Sequence, residues 1–495
     1  MRTFKRHAAL WQFLIVLALA LILRLIVIGT RSIQYDDAFS IFLSERSLAE
    51  IVRGTAADTM PPLYYFLLHF WLQVGRSLTW LRLLSVLLSL GSVTMLFLLV
   101  RRLFGHPAGI WAALLAAISP LQLYHAQDLR MYALLALSQL SYYYFFIRIW
   151  RPDERGTRWT DWLGLVLCGA AAMYSHNLAV FGLVIPNLVL LFRREWKPLL
   201  RLLVAQAAMG LLALPWLWLV PGQVAKIQRA FWTPRPGLIE VMQAILLFVI
   251  HLPLPGVWMM IGGVIAAQAY VLTLLETWRA RREGWGLALL IGVMLGLPIL
   301  LFITSYLIRP VFVTRGFLVA SLAFYALAGR AVAKGWRRGI GPFLLGLFVI
   351  GSVISLPAYY SFESFPRSPF QAAVTALQAQ IQPGDVILHD NKLSYFPSHY
   401  YAPNLPQVFM ADEPGSSNDT YALASQEAMQ LFPQPDVTTA IATAPRIHLI
   451  VFTQAIRDYQ SMGISTHPLL AELNACCSLV AHQTFGDLEI YTFDR

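Results

Sequence analysis

The sequence predicts an all-α polytopic membrane bundle of about eleven transmembrane helices, followed by a small soluble α/β domain. Of the 495 residues, 58% are hydrophobic and only 13% are charged, and the mean hydropathy is +0.60. This is more apolar surface than the core of a soluble protein buries. Runs of about 20 apolar residues, each long enough to cross a bilayer as a helix, recur between Leu10 and Ala358. Beyond Ala358, short apolar runs alternate with polar turns.

The positions of the basic residues along the chain indicate which loops lie in the cytoplasm. The net charge is +11, but the basic residues form short clusters between the apolar runs, which is typical of cytoplasmic loops rather than of a nucleic-acid surface. We therefore predict no nucleic-acid partner. Keeping these clusters on the cytoplasmic side gives the spans 10–28, 80–100, 108–123, 130–149, 160–175, 177–192, 199–220, 256–278, 285–306, 314–332 and 340–358.

An odd number of spans places the two ends of the chain on opposite sides of the membrane. With the amino terminus in the cytoplasm, the first long loop (30–79) and the segment 359–495 are extracytoplasmic, and the chain is a multi-pass protein of the plasma (inner) membrane. We predict two domains, a membrane domain over 1–358 and a soluble domain over 359–495. The short apolar segment 238–252 is interpreted as an interfacial or re-entrant helix, and a pair of spans there would raise the count to thirteen.

The predicted soluble domain has alternating strand and helix patterns. The segments DVILHD (385–390), IHLIVF (447–452) and LEIYTF (488–493) are typical of strands, and PFQAAVTALQAQI (369–381) is typical of an amphipathic helix. The domain has neither a glycine-rich phosphate loop nor a zinc-ligand spacing. We therefore expect the main chemistry elsewhere, in the polar loops of the membrane domain.

Two adjacent carboxylates, Asp36 and Asp37, follow the first span in the segment IQYDDAFS. A carboxylate at this position is suited to act as a general base at the outer membrane surface. The alternative is that Asp36 caps the helix predicted over AFSIFLSERSLAEIV by accepting its first backbone N–H groups.

The same loop continues with DTMPPLYYFLLHFW (58–71), where two prolines precede a helix rich in aromatic residues. Aromatic side chains at this depth form either an interfacial belt or the wall of a sugar or isoprenoid site. Tyr64, Tyr65 and His69 are the candidates for such a wall. For His69 the alternative is a structural histidine.

A second polar turn, SPLQLYHAQDLRMYAL (119–134), lies between the third and fourth predicted spans. Gln127, Asp128, Arg130 and Tyr132 would face the same side of the membrane as Asp36 and Asp37. Ionisable residues at the mouth of a membrane bundle require either a partner or a function. The alternative is a surface pair between Asp128 and Arg130 beside an interfacial tyrosine.

Three further polar residues fall on the outer side. His176 lies between two spans in MYSHNL, and Arg309 and Arg315 lie in YLIRPVFVTRGF. Arginines outside oppose the usual charge bias, and a phosphate group would explain them because a guanidinium matches phosphate oxygens. Arg315 is the stronger candidate, since Arg309 is equally consistent with contact to lipid headgroups.

In their order along the chain, these motifs resemble those of the large membrane glycosyltransferases with the GT-C fold. The motifs are the carboxylate pair, the D-x-x-PPLYY stretch, the Q-D-x-R-x-Y turn and the P-x-x-x-x-R-G segment. Over roughly residues 10–335 the chain resembles the bacterial branch related to protein O-mannosyltransferases and to the lipid A aminoarabinose transferase (families 39 and 83). One departure is Met60, where family members often have histidine or lysine. This departure gives more weight to Arg130, His176 and Arg315 as phosphate contacts.

The resemblance implies a glycosyltransferase that uses a polyprenyl-phosphate sugar and transfers the sugar to a lipid, polysaccharide or protein. It matches the family's outer-loop carboxylate to Asp36 or Asp37 and its second acid to Asp128. A single displacement of the phosphate by the acceptor would invert the anomeric carbon. No cofactor is required, although Asp36, Asp37 and Asp128 are compatible with a divalent metal.

A transporter or flippase of lipids or sugar-lipids, with no chemistry, is the main alternative. It predicts paired structural repeats and charges near the bilayer midplane, and the sequence has neither pattern. An assembly protein with an outer sensor domain would leave the outer carboxylates and arginines without a role.

Overall fold

The computed structural model describes residues 2–154, 156–229, 233, 235–281, 284–416 and 418–495, and these form two compact units. The first unit comprises Met1–Gly29 and Thr59–Tyr360, and the second comprises Thr30–Asp58 and Ser361–Arg495. The sequence-based division at 358/359 assigns the whole of the loop 30–79 to the membrane domain. In the structure, the first half of that loop forms one unit with the carboxy-terminal residues.

Helices make up most of the described chain. In chain order they are α1 Arg2–Leu25, α2 Tyr35–Ser44, α3 Leu48–Asp58, α4 Leu63–Leu72, α5 Leu78–Phe104, α6 His106–Ile118, α7 Pro120–Ala126, α8 Tyr132–Trp150, α9 Trp159–Ser175, α10 Ala179–Phe192, α11 Trp196–Leu217, α12 Val220–Arg229, α13 Leu238–Leu246, α14 Gly256–Arg279, α15 Trp285–Ile291, α16 Leu297–Leu307, α17 Leu318–Gly335, α18 Ile340–Tyr360, α19 Phe370–Gln378, α20 Lys392–Tyr401, α21 Leu423–Met429, α22 Val437–Ile441, α23 Thr453–Ser461 and α24 Pro468–Cys476. A π-helical segment, Gly292–Gly296, joins α15 to α16, and 3₁₀ turns lie at Thr314–Phe317 and Trp336–Arg338.

Each span predicted from the sequence coincides with a helix or with consecutive helices of the first unit. In the described residues, seven helical segments are long and apolar enough to cross a membrane, or up to eight if the bent pair α6–α7 is one span. The predicted count of about eleven is therefore higher than length and composition support. The difference lies in α8, which contains four tyrosines, and in α9 and α10, which have only 17 and 14 residues. The chain is an integral membrane protein.

The bend between α6 and α7 is held by a buried arginine. The two helices meet at an angle of 64°, and Pro120 has no N–H to bond the carbonyl of Ala116. Arg24 of α1, which is fully buried, donates to the carbonyl oxygens of Ala116 and Ala117 at 3.4 and 3.2 Å and to Ser89 Oγ at 2.9 Å. A backbone carbonyl at membrane depth needs such a donor because no water is present there.

A proline inside α10 is compensated in the same way. Pro186 deprives the Gly182 carbonyl of its usual helical donor, and the Tyr143 hydroxyl donates to that carbonyl instead at 2.9 Å. Asn187 and Gln206, on the neighbouring helix α11, exchange two amide hydrogen bonds of 2.8 Å. Polar side chains inside this bundle therefore pair with one another or with freed backbone groups.

The close approach of α6 and α17 depends on Gly329. A Cβ added at this position would lie 2.4 Å from the backbone nitrogen of Ala112. Because that contact is with backbone, no rotamer change relieves it, and we expect Gly329→Ala to destabilise the bundle by about 1–3 kcal/mol. A lower melting temperature of the detergent-solubilised protein would reveal the effect. Gly346→Ala, where an added Cβ has nothing within 4 Å, is the matched control and should melt like the wild type.

The second unit contains a mixed five-stranded sheet. Its strands are β1 Val386–His389, β2 Gln407–Phe409, β3 Arg446–Phe452, β4 Ser478–Phe485 and β5 Leu488–Asp494, in the spatial order β2-β1-β3-β5-β4. The pairs β1–β2 and β1–β3 are parallel, whereas β3–β5 and β4–β5 are antiparallel. The three strands predicted from the sequence are β1, β3 and β5, and the predicted amphipathic helix is α19. The sequence did not indicate β2, which has three residues, or β4, whose side chains are mostly exposed.

Helices α2 and α3 belong to this unit because they pack on its helices. The ring of Phe396 in α20 lies 5.1 Å from that of Tyr35 and 6.3 Å from that of Phe39. Ser425 of α21 donates to the carbonyl of Gly54 in α3 at 3.1 Å. The first half of the loop between α1 and α5 therefore packs into the second unit.

A partly buried carboxyl group follows β1 and makes this unit sensitive to pH. Burial, assisted by the charge of Asp412, raises the pKa of Asp390 from 3.8 to about 7. The folded domain thus retains a proton that the unfolded chain releases, so stability falls as the pH rises from about 4 to 7 and is constant above that. We expect Asp390→Asn to remove this fall and to stabilise the β1–α20 region at pH 8 by about 1–2 kcal/mol, a figure discounted for partial exposure.

Hydrogen exchange of the α20 amides at several pH values measures this effect. Asp436→Asn is the control, because the pKa of Asp436 is lowered by hydrogen bonds from Thr439. That variant should therefore not gain protection at high pH. Equal pH dependence in wild type and Asp390→Asn would contradict the prediction.

Candidate functional site

A buried histidine at the end of α7 contacts a buried aspartate in the turn between α7 and α8. His125 Nδ1 lies 3.1 Å from an Asp128 carboxylate oxygen, and only 2% of the Asp128 side chain is exposed. Helix α7 begins with a cap, since Ser119 Oγ accepts the N–H of Gln122. Asp128 and Arg130 are both buried, so the sequence-based alternative that places them at the surface is wrong.

Arg130 turns toward α4 and donates a hydrogen bond of 3.0 Å to the hydroxyl of Tyr65. Both side chains are buried. The neighbouring tyrosine has a different partner, because the Tyr64 hydroxyl lies 2.9 Å from Ser85 Oγ on α5. Of the two tyrosines predicted to form a substrate wall, Tyr65 contacts the polar turn and Tyr64 contributes to helix packing.

Tyr132 lies at the centre of a group of rings and charges. The His125 ring centroid lies 5.0 Å from that of Tyr132, and the His176 ring centroid lies 6.0 Å from it. The guanidinium carbon of Arg315 lies 5.7 Å from the same ring, within the range of a cation–π contact. Residues that are far apart in the sequence thus meet around one aromatic side chain.

His176 is uncharged in this environment. Burial and the positive charges of Arg315 and Arg130 lower the pKa of His176 to about 3. Its Nδ1 accepts the backbone N–H of Leu178 at 3.0 Å, so the neutral ring carries its proton on Nε2. His176 is therefore a neutral hydrogen-bond donor between two cationic groups.

This group of side chains contains two guanidiniums, a neutral imidazole and one carboxylate. Arg130 and Arg315 are cationic, His176 is neutral, and Asp128 is the carboxylate, already contacted by His125. Two guanidiniums close to a neutral N–H donor form a site suited to phosphate oxygens. We call the following residues the tyrosine–arginine cluster: Tyr65, His125, Asp128, Arg130, Tyr132, His176 and Arg315.

Gln127, predicted to bind the donor, anchors the turn through both ends of its side-chain amide. Its amide nitrogen donates to the carbonyls of Arg24 and Ile26 at 2.9 and 2.8 Å, and its amide oxygen accepts the Tyr359 hydroxyl at 2.8 Å. These bonds attach the turn to the end of α1. Gln127 therefore helps to hold Asp128 and Arg130, which follow it in the same turn, in place.

His69 also has a structural contact. Its Nε2 lies 3.3 Å from the Gln73 side-chain nitrogen, one turn further along the same helix, and its ring packs edge-on against Phe70. The structural interpretation of this histidine agrees with these contacts.

In the second unit, the two adjacent carboxylates have different surroundings. Asp37 is fully buried and accepts a hydrogen bond of 2.8 Å from Arg367, which is also fully buried. Asp36 is half-buried in the first turn of α2, where a negative charge is stabilised by the helix dipole. The helix cap is Gln34, whose side chain makes no capping bond, so the alternative in which Asp36 caps this helix is wrong.

Arg367 was not identified from the sequence. It lies in the linker SFESFPRSP, where one arginine among prolines has no recognisable pattern. Its partner is more than 300 positions earlier in the chain, since the Asp37–Arg367 hydrogen bond has a sequence separation of 330.

No group of three or more His, Cys, Asp or Glu side chains is arranged to hold a metal ion in the part of the chain that the structure describes. The sequence requires no metal and names Asp36, Asp37 and Asp128 only as residues compatible with one. In the structure, Arg367 contacts Asp37 and His125 contacts Asp128.

Comparisons with known proteins identify the fold. A family model described as dolichyl-phosphate-mannose-protein mannosyltransferase matches residues 59–220. The structure is similar over its whole length to ArnT from Cupriavidus metallidurans in the apo state, with a TM-score of 0.62, 14% identity and coverage of 98% of each chain. The chain has the GT-C fold.

Two further structures share this GT-C fold. ArnT from the same organism bound to undecaprenyl phosphate has a TM-score of 0.62 and 14% identity, with 97% of each chain covered. The Archaeoglobus fulgidus oligosaccharyltransferase AglB, in complex with an inhibitory peptide and a dolichol-phosphate, has a TM-score of 0.56 and 11% identity, over 99% of this chain and 74% of that chain. A search of curated protein sequences finds no match to the chain.

Proposed function

We propose that this protein is a membrane glycosyltransferase that takes a sugar from a polyprenyl-phosphate carrier and transfers it to a hydroxyl or amine. The observation that carries the proposal is the tyrosine–arginine cluster, in which Arg130 and Arg315 flank the neutral His176 in a GT-C fold. ArnT, which has the same fold, was solved with undecaprenyl phosphate bound. A lipid phosphate is an anion of the kind that guanidiniums and an imidazole N–H bind.

The chemistry follows from the donor. A sugar linked to a lipid phosphate already has a good leaving group, so no general acid is needed at the glycosidic oxygen. As the bond from the anomeric carbon to that oxygen breaks, negative charge grows on the phosphate. Arg130 and Arg315 stabilise that charge, and the Nε2–H of His176 adds a neutral donor.

Tyr65 and Tyr132 position the two arginines. The Tyr65 hydroxyl accepts the hydrogen bond from Arg130, and the face of Tyr132 lies against the Arg315 guanidinium. His125 fixes the Asp128 carboxylate, which in turn orients the turn that carries Arg130. Asp128 thus supports phosphate binding rather than accepting the proton of the acceptor.

The acceptor must lose a proton as it attacks, and we assign this step to Asp36. Asp37 is engaged by Arg367 with no exposed surface, whereas Asp36 is half-buried. The acceptor oxygen or nitrogen forms the new bond to the anomeric carbon, its proton passes to the Asp36 carboxylate, and the polyprenyl phosphate leaves. A single displacement of this kind inverts the anomeric configuration.

The reaction takes place on the extracytoplasmic side in this proposal. The basic clusters of the membrane domain lie on cytoplasmic loops by the positive-inside rule, which puts the amino terminus inside and the carboxy-terminal domain outside. The acceptor is a lipid, a polysaccharide or a protein of the cell envelope. A divalent metal is not required, and we expect transfer to continue in the presence of EDTA.

Transfer from a labelled donor tests the proposal. Proteoliposomes containing the full chain receive radiolabelled polyprenyl-phosphate sugars together with an envelope extract as the source of acceptor. The expected result is loss of label from the carrier and release of free polyprenyl phosphate, both slowed about 100- to 1000-fold by Arg315→Ala. A transporter would instead move the intact labelled lipid across the bilayer without cleaving it, and that result would overturn the proposal.

A further inference from the structure

An amide side chain lies on the outward face of α14 at the middle of a membrane span. Gln268 is the thirteenth of the 24 residues of this apolar helix, about 18 Å from its start. Its side chain is exposed on the surface of the bundle. At this depth the surroundings are hydrocarbon, where an amide without a hydrogen-bond partner is costly.

Other amide side chains inside the bundle have hydrogen-bond partners within the chain. Asn187 and Gln206 pair reciprocally, Gln139 donates to the Ala179 carbonyl at 2.9 Å, and Gln122 donates to Ser321 Oγ at 2.9 Å. Within the part of the chain that the structure describes, the Gln268 side chain makes no hydrogen bond. It is thus an amide at membrane depth whose partner must come from outside this chain.

The surface around Gln268 is a shallow, mostly apolar face of α14. Gln268 borders an open groove of about 300 Å³ whose other lining residues, Met260, Ile261, Val264 and Ile265, all belong to the same helix. Beside it, a Cβ added at Gly263 would have nothing within 4 Å. An open glycine next to a groove allows another helix to approach closely, which is how membrane helices gain packing energy.

We propose that this face of α14 is a dimerisation surface that binds the same face of a second copy of the protein. A carboxamide is both a donor and an acceptor, so two copies of Gln268 related by a two-fold axis satisfy each other with two hydrogen bonds. The Asn187–Gln206 pair within the bundle is an amide pair of that kind. A lipid chain would fill the groove but would leave the amide unpaired.

The apolar residues of the groove would also pack against the same residues of the second copy. Met260 and Val264 are 67% and 58% exposed, and together with Gln268 they recur at intervals of four residues along one helix face. Because the same stripe is present on both copies, each apolar residue meets the apolar part of its partner's stripe while the amides meet at the axis.

Cysteine cross-linking in native membranes tests the proposal. In the full chain with Cys168, Cys476 and Cys477 changed to Ser, Val264→Cys should form a disulfide-linked dimer on mild oxidation. The matched control is Leu211→Cys on α11, which is 71% exposed on a different helix and should remain monomeric. Adding Gln268→Leu to the Val264→Cys variant should weaken self-association about 10-fold.

The dissociation constant is measured by fluorescence energy transfer between labelled copies in liposomes of graded protein density. Gln268→Leu places an apolar side chain in lipid, so it should fold normally and retain sugar transfer, which keeps this test separate from that of the proposed function. Cross-linking that is equal at both cysteine positions would overturn the proposal. A dimer of unchanged strength in Gln268→Leu, or a monomer at the highest protein density, would also overturn it.

Discussion

Replacing Asp36 by Asn is expected to lower the turnover number for sugar transfer by about 100- to 10,000-fold while leaving the protein folded. Asn has nearly the same shape as Asp but cannot take a proton from the acceptor. Single-turnover transfer from a radiolabelled polyprenyl-phosphate sugar measures the loss. Binding of the donor should be unchanged, because the phosphate contacts lie in the tyrosine–arginine cluster.

Asp37→Asn is the matched control at the adjacent position, and we expect it to act through stability. It leaves the fully buried Arg367 without its carboxylate partner, which costs about 3–5 kcal/mol. A double variant, Asp37→Asn with Arg367→Met, removes both charges and should recover much of that stability and the transfer activity with it. If the well-folded double variant is inactive and Asp36→Asn is active, then Asp37 is the base and our assignment is wrong.

The second large effect is expected at Arg315. Arg315→Ala should lower kcat/KM for the polyprenyl-phosphate sugar by about 100- to 1000-fold, because one cationic donor to the leaving phosphate is lost. Arg315→Lys should recover only part of this activity, since an ammonium group keeps the charge but cannot make paired bonds to phosphate oxygens. Steady-state kinetics with varied donor concentration provide the measurement.

Arg309→Ala is the matched control for Arg315. Arg309 lies in the same predicted outer segment, and its sequence-based interpretation is contact with lipid headgroups. Its removal should change kcat/KM less than about threefold. A loss of similar size at both positions would indicate a general effect of surface charge, and a specific phosphate site at Arg315 would then be rejected.

The helices of the membrane unit were predictable because hydropathy records burial in lipid directly. The predicted span over 108–123 is correct as an apolar segment, but its 64° bend depends on Pro120 and on a donor from α1. Pairing of this kind joins residues far apart in the chain, and a linear pattern does not contain it. The grouping of Thr30–Asp58 with the carboxy-terminal domain was missed for the same reason.

Within the candidate site, the sequence identified the residue types better than their contacts. Arg130, Tyr132, His176 and Arg315 were selected because ionisable groups at the mouth of a membrane bundle need a partner or a function and because outer arginines oppose the usual charge bias. The structure brings these side chains around the ring of Tyr132. The hydrogen-bond partners of the Tyr64 and Gln127 side chains could not be predicted from the sequence. Each lies directly beside a cluster residue in the chain, yet its hydroxyl or amide bonds to a different helix.

The guanidinium of Arg24 has a consequence for biosynthesis. An arginine in the last turn of α1 raises the free energy of membrane insertion, by less than the about 2.5–3.5 kcal/mol of a helix centre, and the carbonyls that stabilise Arg24 are made some ninety residues later. We expect the membrane insertion of α1 to remain incomplete at the translocon until α6 and α7 have been synthesised. The nascent chain would then complete its first transmembrane segment only when its third emerges.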